Sequence, residues 1–203
     1  MTKIKICGLS RTADIETANQ IQPDYIGFVF APKSKRYVSF ETARILKSKL
    51  HSDIRTVGVF VNENIDNILL SLDSIDVIQL HGNENDEYIR KLRTVTDKPI
   101  IQAFVIKSEE DVCSAEKSLA DFILLDGGKG DGKTFNWNFL TAIQRPYFLA
   151  GGLDTENVAQ AVRYLHPYAV DVSTGVETDG RKDNKKMTAF VHAVRKENGY
   201  DKS

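Results

Sequence analysis

Ile4-Lys5-Ile6-Cys7-Gly8-Leu9-Ser10 is the stretch on which two architectures part company. Its first four residues alternate as a strand does, and Gly8 opens a loop directly after them. An open doubly wound sheet would carry a glycine-rich G-x-G-x-x-G turn at this point, and Gly8-Leu9-Ser10 has none. Outward from this first run (3–7), short β-branched or apolar runs recur at 25–30, 56–61, 77–80, 100–104, 122–126, 147–150 and 169–172, which makes eight strands. Helical spacing fills most of the gaps, at 40–50 (Ile45, Leu46 and Leu50 on one side), 65–72, 87–92, 111–119, 155–165 and 184–195. Ser108 and Asp154 stand where helix N-caps belong. Eight such repeats with right-handed crossovers meet their own first edge, so the expected fold is α/β, a single-domain (β/α)8 TIM barrel over 1–203. The tail after about 196 is expected to fray.

A chain of 203 residues buries a substantial core, and no linker, low-complexity segment or charge block divides it. The net charge is −1 with both signs interspersed, so no footprint for nucleic acid or a membrane surface is present. The chain enters its first strand without the long apolar stretch of a signal peptide or membrane span. Its two cysteines, Cys7 and Cys113, fit neither a metal knuckle nor a disulfide framework. A reducing, cytoplasmic location follows as the expectation. Cys113, inside a helical stretch, is expected to be packing.

In a barrel the residues that end each strand face the active site. Cys7 ends the first, either as a reactive thiol or as a small buried hydrophobe. After the seventh and eighth strands come Gly151-Gly152-Leu153-Asp154 and Ser173-Thr174-Gly175-Val176. Either segment alone reads as a tight turn. Paired at consecutive strand ends, with backbone N–H groups and small hydroxyls, they suit a phosphate, which implies a small phosphorylated substrate. Asp126 ends the apolar sixth strand and leads into Gly127-Gly128-Lys129-Gly130, so it is either a turn residue or a carboxyl whose pKa burial raises for general-acid work. Lys33, Lys35 and Arg36 follow the second strand; of these Arg36 suits a planar carboxylate, through its two-pronged donor fork. His81, after the fourth strand, is a candidate general acid, substrate contact or hydrogen-bonded structural residue. No second ligand lies at metal spacing from it, so no metal site is expected.

Taken together, Lys5-Ile6-Cys7-Gly8-Leu9, Asp24-Tyr25-Ile26-Gly27-Phe28-Val29-Phe30 with Pro32-Lys33-Ser34 and Arg36-Tyr37-Val38, Gln79-Leu80-His81-Gly82 and Asp171-Val172-Ser173-Thr174-Gly175-Val176-Glu177 resemble the phosphoribosylanthranilate isomerase family of tryptophan biosynthesis. The resemblance covers essentially the whole chain in order. It implies a (β/α)8 barrel without cofactor or metal, catalysing the Amadori rearrangement of N-(5-phosphoribosyl)anthranilate to 1-(2-carboxyphenylamino)-1-deoxyribulose 5-phosphate. Carried over by position, it makes Cys7 the general base and Asp126 the general acid. It puts Arg36 on the anthranilate carboxylate, Gly151, Gly152, Ser173, Thr174 and Gly175 around the phosphate, Asp171 near the ribose hydroxyls, and His81 on the rim without an assigned role. Monomer and homodimer both remain open.

Two departures from the family pattern stand out. The stretch from Asp126 to Lys129-Gly130-Asp131-Gly132-Lys133-Thr134 is shortened, which bears on lid closure, and Thr174 replaces a frequent serine. The rival barrel of histidine biosynthesis, which rearranges a different aminoaldose, ends its first strand in aspartate where this chain has Cys7. Indole-glycerol phosphate synthase needs a catalytic lysine at a strand end and a longer N-terminal extension. A noncatalytic phosphosugar-binding barrel is the alternative of another class, and it predicts damage at Cys7, Arg36 or Asp126.

Overall fold

In a computed structural model, which describes residues 1–127 and 137–199 (141 and 142 by backbone alone), eight parallel strands close into a barrel in the order of the sequence. They are β1 Lys3–Cys7, β2 Tyr25–Val29, β3 Arg55–Phe60, β4 Val77–Leu80, β5 Ile100–Val105, β6 Phe122–Asp126, β7 Tyr147–Ala150 and β8 Ala169–Val172. Closure is made by β8 on β1, where Lys5 pairs in register with Asp171 and Ile6 with Val172. All eight expected strands are present, with ends shifted by at most one residue.

Seven α-helices, α1 Thr12–Ile21, α2 Phe40–Lys47, α3 Ile65–Leu69, α4 Asp86–Arg93, α5 Glu109–Glu116, α6 Val158–Leu165 and α7 Asn184–Glu197, lie among the described residues, with short 3-10 helices at Leu72–Ser74 and Trp137–Ala142. A two-stranded hairpin, β9 Glu177–Thr178 and β10 Arg181–Lys182, stands between β8 and α7. The sequence reading misses α1. Its buried face mixes Ile15, Ala18 and Ile21 with Asp14 and Thr17, so no apolar stripe announces it. Asp14 is buried because it holds the backbone N–H groups of Ser10 and Arg11 and the Arg11 guanidinium.

Three local expectations are corrected. Helix α2 ends at Lys47, and Ile45 is exposed while Leu46 is buried, because successive helical residues point about 100° apart and cannot share one face. Asp154 is not the cap of α6, which starts at Val158; its carboxylate accepts the N–H groups of Glu156 and Asn157 in a turn before the helix. Cys113 is exposed on α5 rather than packed. Ser108 does cap α5, in a reciprocal box with Asp111. At the C-terminal end, Glu197 pairs with Arg163 and Asn198 exchanges hydrogen bonds with Thr2, so ordered contacts run past Lys196, while 200–203 lie outside the described residues. So does the stretch 128–136, which carries the expected shortened loop.

The period of two along each strand divides the core into two parts. Ile4, Ile6, Phe28, Ile78 and Leu80 face the helical shell, and Tyr25, Val57, Val77, Ile101, Leu124 and Phe148 fill the barrel interior. Phe122, Phe148, Tyr25 and Tyr168 stack and edge into one another with centroids 4.9–5.8 Å apart at the amino ends of the strands. That plug leaves the carboxyl ends as the open mouth. No helix among the described residues is long and apolar enough to cross a membrane.

Candidate active site

The mouth holds a cavity of about 460 Å³, within the range of small-molecule sites. Cys7, Arg36, His81, Asp126, Gly151, Gly152, Asp171, Ser173, Thr174 and Gly175 all line it. The structure thus brings to one cavity the residues that the resemblance puts in the site, while Lys33, Lys35 and Cys113 do not line it. Strands deliver Cys7 from β1, Asp126 from β6 and Asp171 from β8, and loops after β2, β4, β7 and β8 supply the rest. One wall, formed by Val29, Ala31, Val59 and Val61, is apolar.

Cys7 is 8 % exposed and faces inward beside β2. Gly27 makes room for it: a Cβ at that position would lie 2.7 Å from the Cys7 sulfur. Burial pushes the thiol above its ordinary pKa; Lys5 pulls it back, Asp171 adds to the rise, and Lys182 opposes it. Lys5, wholly buried two residues before Cys7 on the same face of β1, has its ammonium 2.9 Å from Asp171 Oδ1. The carboxylate expected near ribose hydroxyls therefore has one oxygen committed to a lysine.

Arg36 is held more firmly than its loop position implies. Its Nε and Nη2 donate to the two carboxylate oxygens of Glu177 at 2.6 and 2.8 Å, and Nη2 lies 3.4 Å from Thr174 Oγ1. Those bonds raise the arginine further above its ordinary range, against the opposing effect of its partial burial. Although burial favours the protonated acid, Arg36 and Lys182 keep Glu177 below the usual glutamate range. Lys182 is itself lowered by burial, with Glu177 opposing the fall. Its ammonium reaches Glu177 Oε1 at 2.5 Å and the Ser173 carbonyl at 2.9 Å. Ser173 Oγ donates to the Cys7 carbonyl at 3.1 Å, so this hydroxyl ties β8 to β1. A bridge between Asp154 and Gly175 joins the glycine loops that follow β7 and β8.

Across the cavity, His81 Nε2 lies 3.8 Å from Asp126 Oδ2, and Gln79 Nε2 lies 2.8 Å from His81 Nδ1. Sequence reading overlooks Lys5, Gln79, Glu177 and Lys182. For Lys5 a signal exists, since Ile4 and Ile6 claim the helical face and leave Lys5 on the inner face with Cys7. Glu177 and Lys182 sit on a short hairpin, where no periodicity marks them.

Fold and cavity together define a class, that of (β/α)8 barrel enzymes with the active site at the carboxyl ends of the strands. The family model of N-(5'-phosphoribosyl)anthranilate (PRA) isomerase matches residues 4–193. The N-(5'-phosphoribosyl)anthranilate isomerase of Thermoanaerobacter sp. (strain X514) is 46% identical over 96% of this chain and 98% of its own. A crystal structure of phosphoribosyl anthranilate isomerase in complex with reduced 1-(o-carboxyphenylamino)-1-deoxyribulose 5-phosphate superposes with a TM-score of 0.87 at 36% identity, covering 97% of this chain and 100% of the other. A structure of monomers generated from the dimeric Thermotoga maritima enzyme gives 0.85 at 35%, over 96% and 99%. The chain belongs to the N-(5'-phosphoribosyl)anthranilate isomerase family.

Proposed function

We propose that Cys7 and Asp126 are the base and acid of the family's Amadori rearrangement, which converts N-(5'-phosphoribosyl)anthranilate to 1-(2-carboxyphenylamino)-1-deoxyribulose 5-phosphate. The observation that carries the assignment is that both residues line one cavity together with Arg36 and the paired glycine loops. Asp126 protonates the ribose ring oxygen, and the sugar opens to a Schiff base. Cys7 as thiolate removes the proton from C2, and the resulting enolamine tautomerises to the ketose. The ring C1–O4 bond breaks, its oxygen leaving as the C4 hydroxyl as C1=N forms, and the later steps relocate protons and double bonds within the same substrate, so two side chains suffice.

Arg36, with Nη1 left over from its contacts to Glu177, takes the substrate carboxylate, and the apolar wall of Val29, Ala31, Val59 and Val61 takes the aromatic ring. Gly151, Gly152, Thr174 and Gly175 surround the phosphate, and Asp171 faces the ribose hydroxyls. Ser173 contributes chiefly backbone there, its hydroxyl being spent on Cys7. A raised thiol pKa leaves only a small thiolate fraction at neutral pH in the empty site. The chain is one domain, acts in the cytoplasm, and works as a monomer or a homodimer; the dimeric Thermotoga maritima relative supports the second.

The test is the decay of substrate fluorescence with wild type, Cys7→Ser and Asp126→Asn. The variants are expected to lose about 10²–10⁴-fold in turnover, the usual worth of a general acid or base. An inactive wild type would sink the enzymatic reading, and full activity in both variants would overturn the two roles.

A further inference from the structure

The proposed base stands among five ionised groups. Lys5 pairs with Asp171 at 2.9 Å, Glu177 pairs with Arg36 at 2.6 Å and with Lys182 at 2.5 Å, and all five belong to the elements packed around Cys7. Three cations against two carboxylates leave one positive charge in excess. A Cys7 thiolate would cancel it. Asp126 and His81 face the thiol only from the opposite rim.

Lys5 is the least expected of the five. Barrel interiors are packed with branched apolar side chains, and a leucine at this position would fill space without desolvating a charge. Lys5 is 0 % exposed. It lies two residues below Cys7, about 6–7 Å along the strand, a distance that an extended lysine side chain spans. Its ammonium bonds Asp171 Oδ1 at 2.9 Å, inside the barrel on the face of β1 that also carries Cys7. Asp171 is a neighbour in register on β8, so barrel closure itself brings its carboxylate to the Lys5 ammonium.

We infer that Lys5 is the positioning residue of the proposed base: its buried ammonium, anchored by Asp171, is the countercharge against which Cys7 ionises. The inference rests on the assignment of Cys7 as base, yet it concerns the state of the thiol and can be read without turnover. Burial still leaves the thiol above its ordinary range, and Lys5 limits the rise.

The experiment titrates thiolate ultraviolet absorbance in a Cys113→Ser background, where Cys7 is the only thiol. Lys5→Met should raise the Cys7 midpoint by about one unit or more, a roughly tenfold smaller thiolate fraction at any pH below it. Asp171→Asn should lower the midpoint. The double variant Lys5→Met/Asp171→Asn leaves no buried unpaired carboxylate; it keeps the test available if Lys5→Met does not fold, and its midpoint should still exceed that of wild type. A structural lysine predicts no such opposed pair of shifts. Unchanged midpoints in the Lys5 variants, with Cys7→Ser inactive, would overturn the inference alone. A shifted midpoint with Cys7→Ser fully active would overturn the base assignment and leave Lys5's hold on the thiol standing.

Discussion

Gly27→Ala is the sharpest probe of the thiol's placement. The new Cβ would stand 2.7 Å from Cys7 Sγ and 3.1 Å from Cys7 Cα, across the β1–β2 ladder that pairs Cys7 with Gly27. Non-bonded heavy atoms settle at about 3.5–4.0 Å, so the sulfur has to retreat by about 1 Å. It cannot do so by moving its strand, because β1 is held on its other side by β8. A misplacement of about 1 Å at a reacting group is worth on the order of 10²-fold in rate. Overpacking costs about 1–3 kcal/mol, which in a domain of this size lowers Tm by about 2–12 °C.

Gly58→Ala supplies the comparison. Its Cβ would approach Ile75 Cδ1 and Phe60 Cε2 at 2.9 Å, an equal crowding on the helical side of β3, away from the cavity. Both variants should lose similar stability in thermal melts, and only Gly27→Ala should lose turnover in the fluorescence assay. Wild-type kcat/KM in Gly27→Ala, or equal loss of activity in the two variants, would refute the claim that this glycine exists to seat the thiol.

Two further outcomes test the surroundings. Glu177→Gln removes the charge that fixes the Arg36 fork, and a charge-assisted hydrogen bond is worth about 1.5–3 kcal/mol; kcat/KM should fall roughly tenfold or more, mostly through KM, and an unchanged KM would contradict the role given to Arg36. Asp76 binds Lys47 at 2.7 Å and the Thr56 N–H and hydroxyl at 2.8 Å, and these bonds outweigh burial and hold its carboxyl below the usual range. A depressed folded pKa stabilises above the unfolded value of about 3.9 and ceases to as pH falls through the folded one, so the Tm gap between wild type and Asp76→Asn should be full at neutral pH and close in acid. A gap independent of pH would rule this out.

Much of the barrel was legible because its signals are local. Strands such as Phe122–Asp126 and Tyr147–Ala150 are compact apolar runs bounded by polar turns, and they appear where expected. Helix α1 escaped because its inner face buries Asp14 and Thr17, groups whose burial makes sense only once Arg11 and the neighbouring backbone are in place. Asp154 has the right chemistry for a cap, yet the turn it makes delays the helix to Val158. Ile45 and Leu46 are both apolar, and only packing decides which of them is buried.

By itself the sequence determined the eight-fold alternation and the delivery of Cys7 and Asp126 to strand ends, since both follow from periodicity and turn residues within a few positions. Tertiary structure decided which charges surround Cys7. Lys5 meets Asp171 across 166 residues, and Arg36 meets Glu177 across 141, only because β8 closes on β1 and the hairpin after it meets the loop after β2. Charges separated so far along the chain leave no periodic mark. In that buried site Lys5, Asp171 and Lys182 act on the thiol beside the larger effect of burial, because coulombic interactions gain strength where water is excluded.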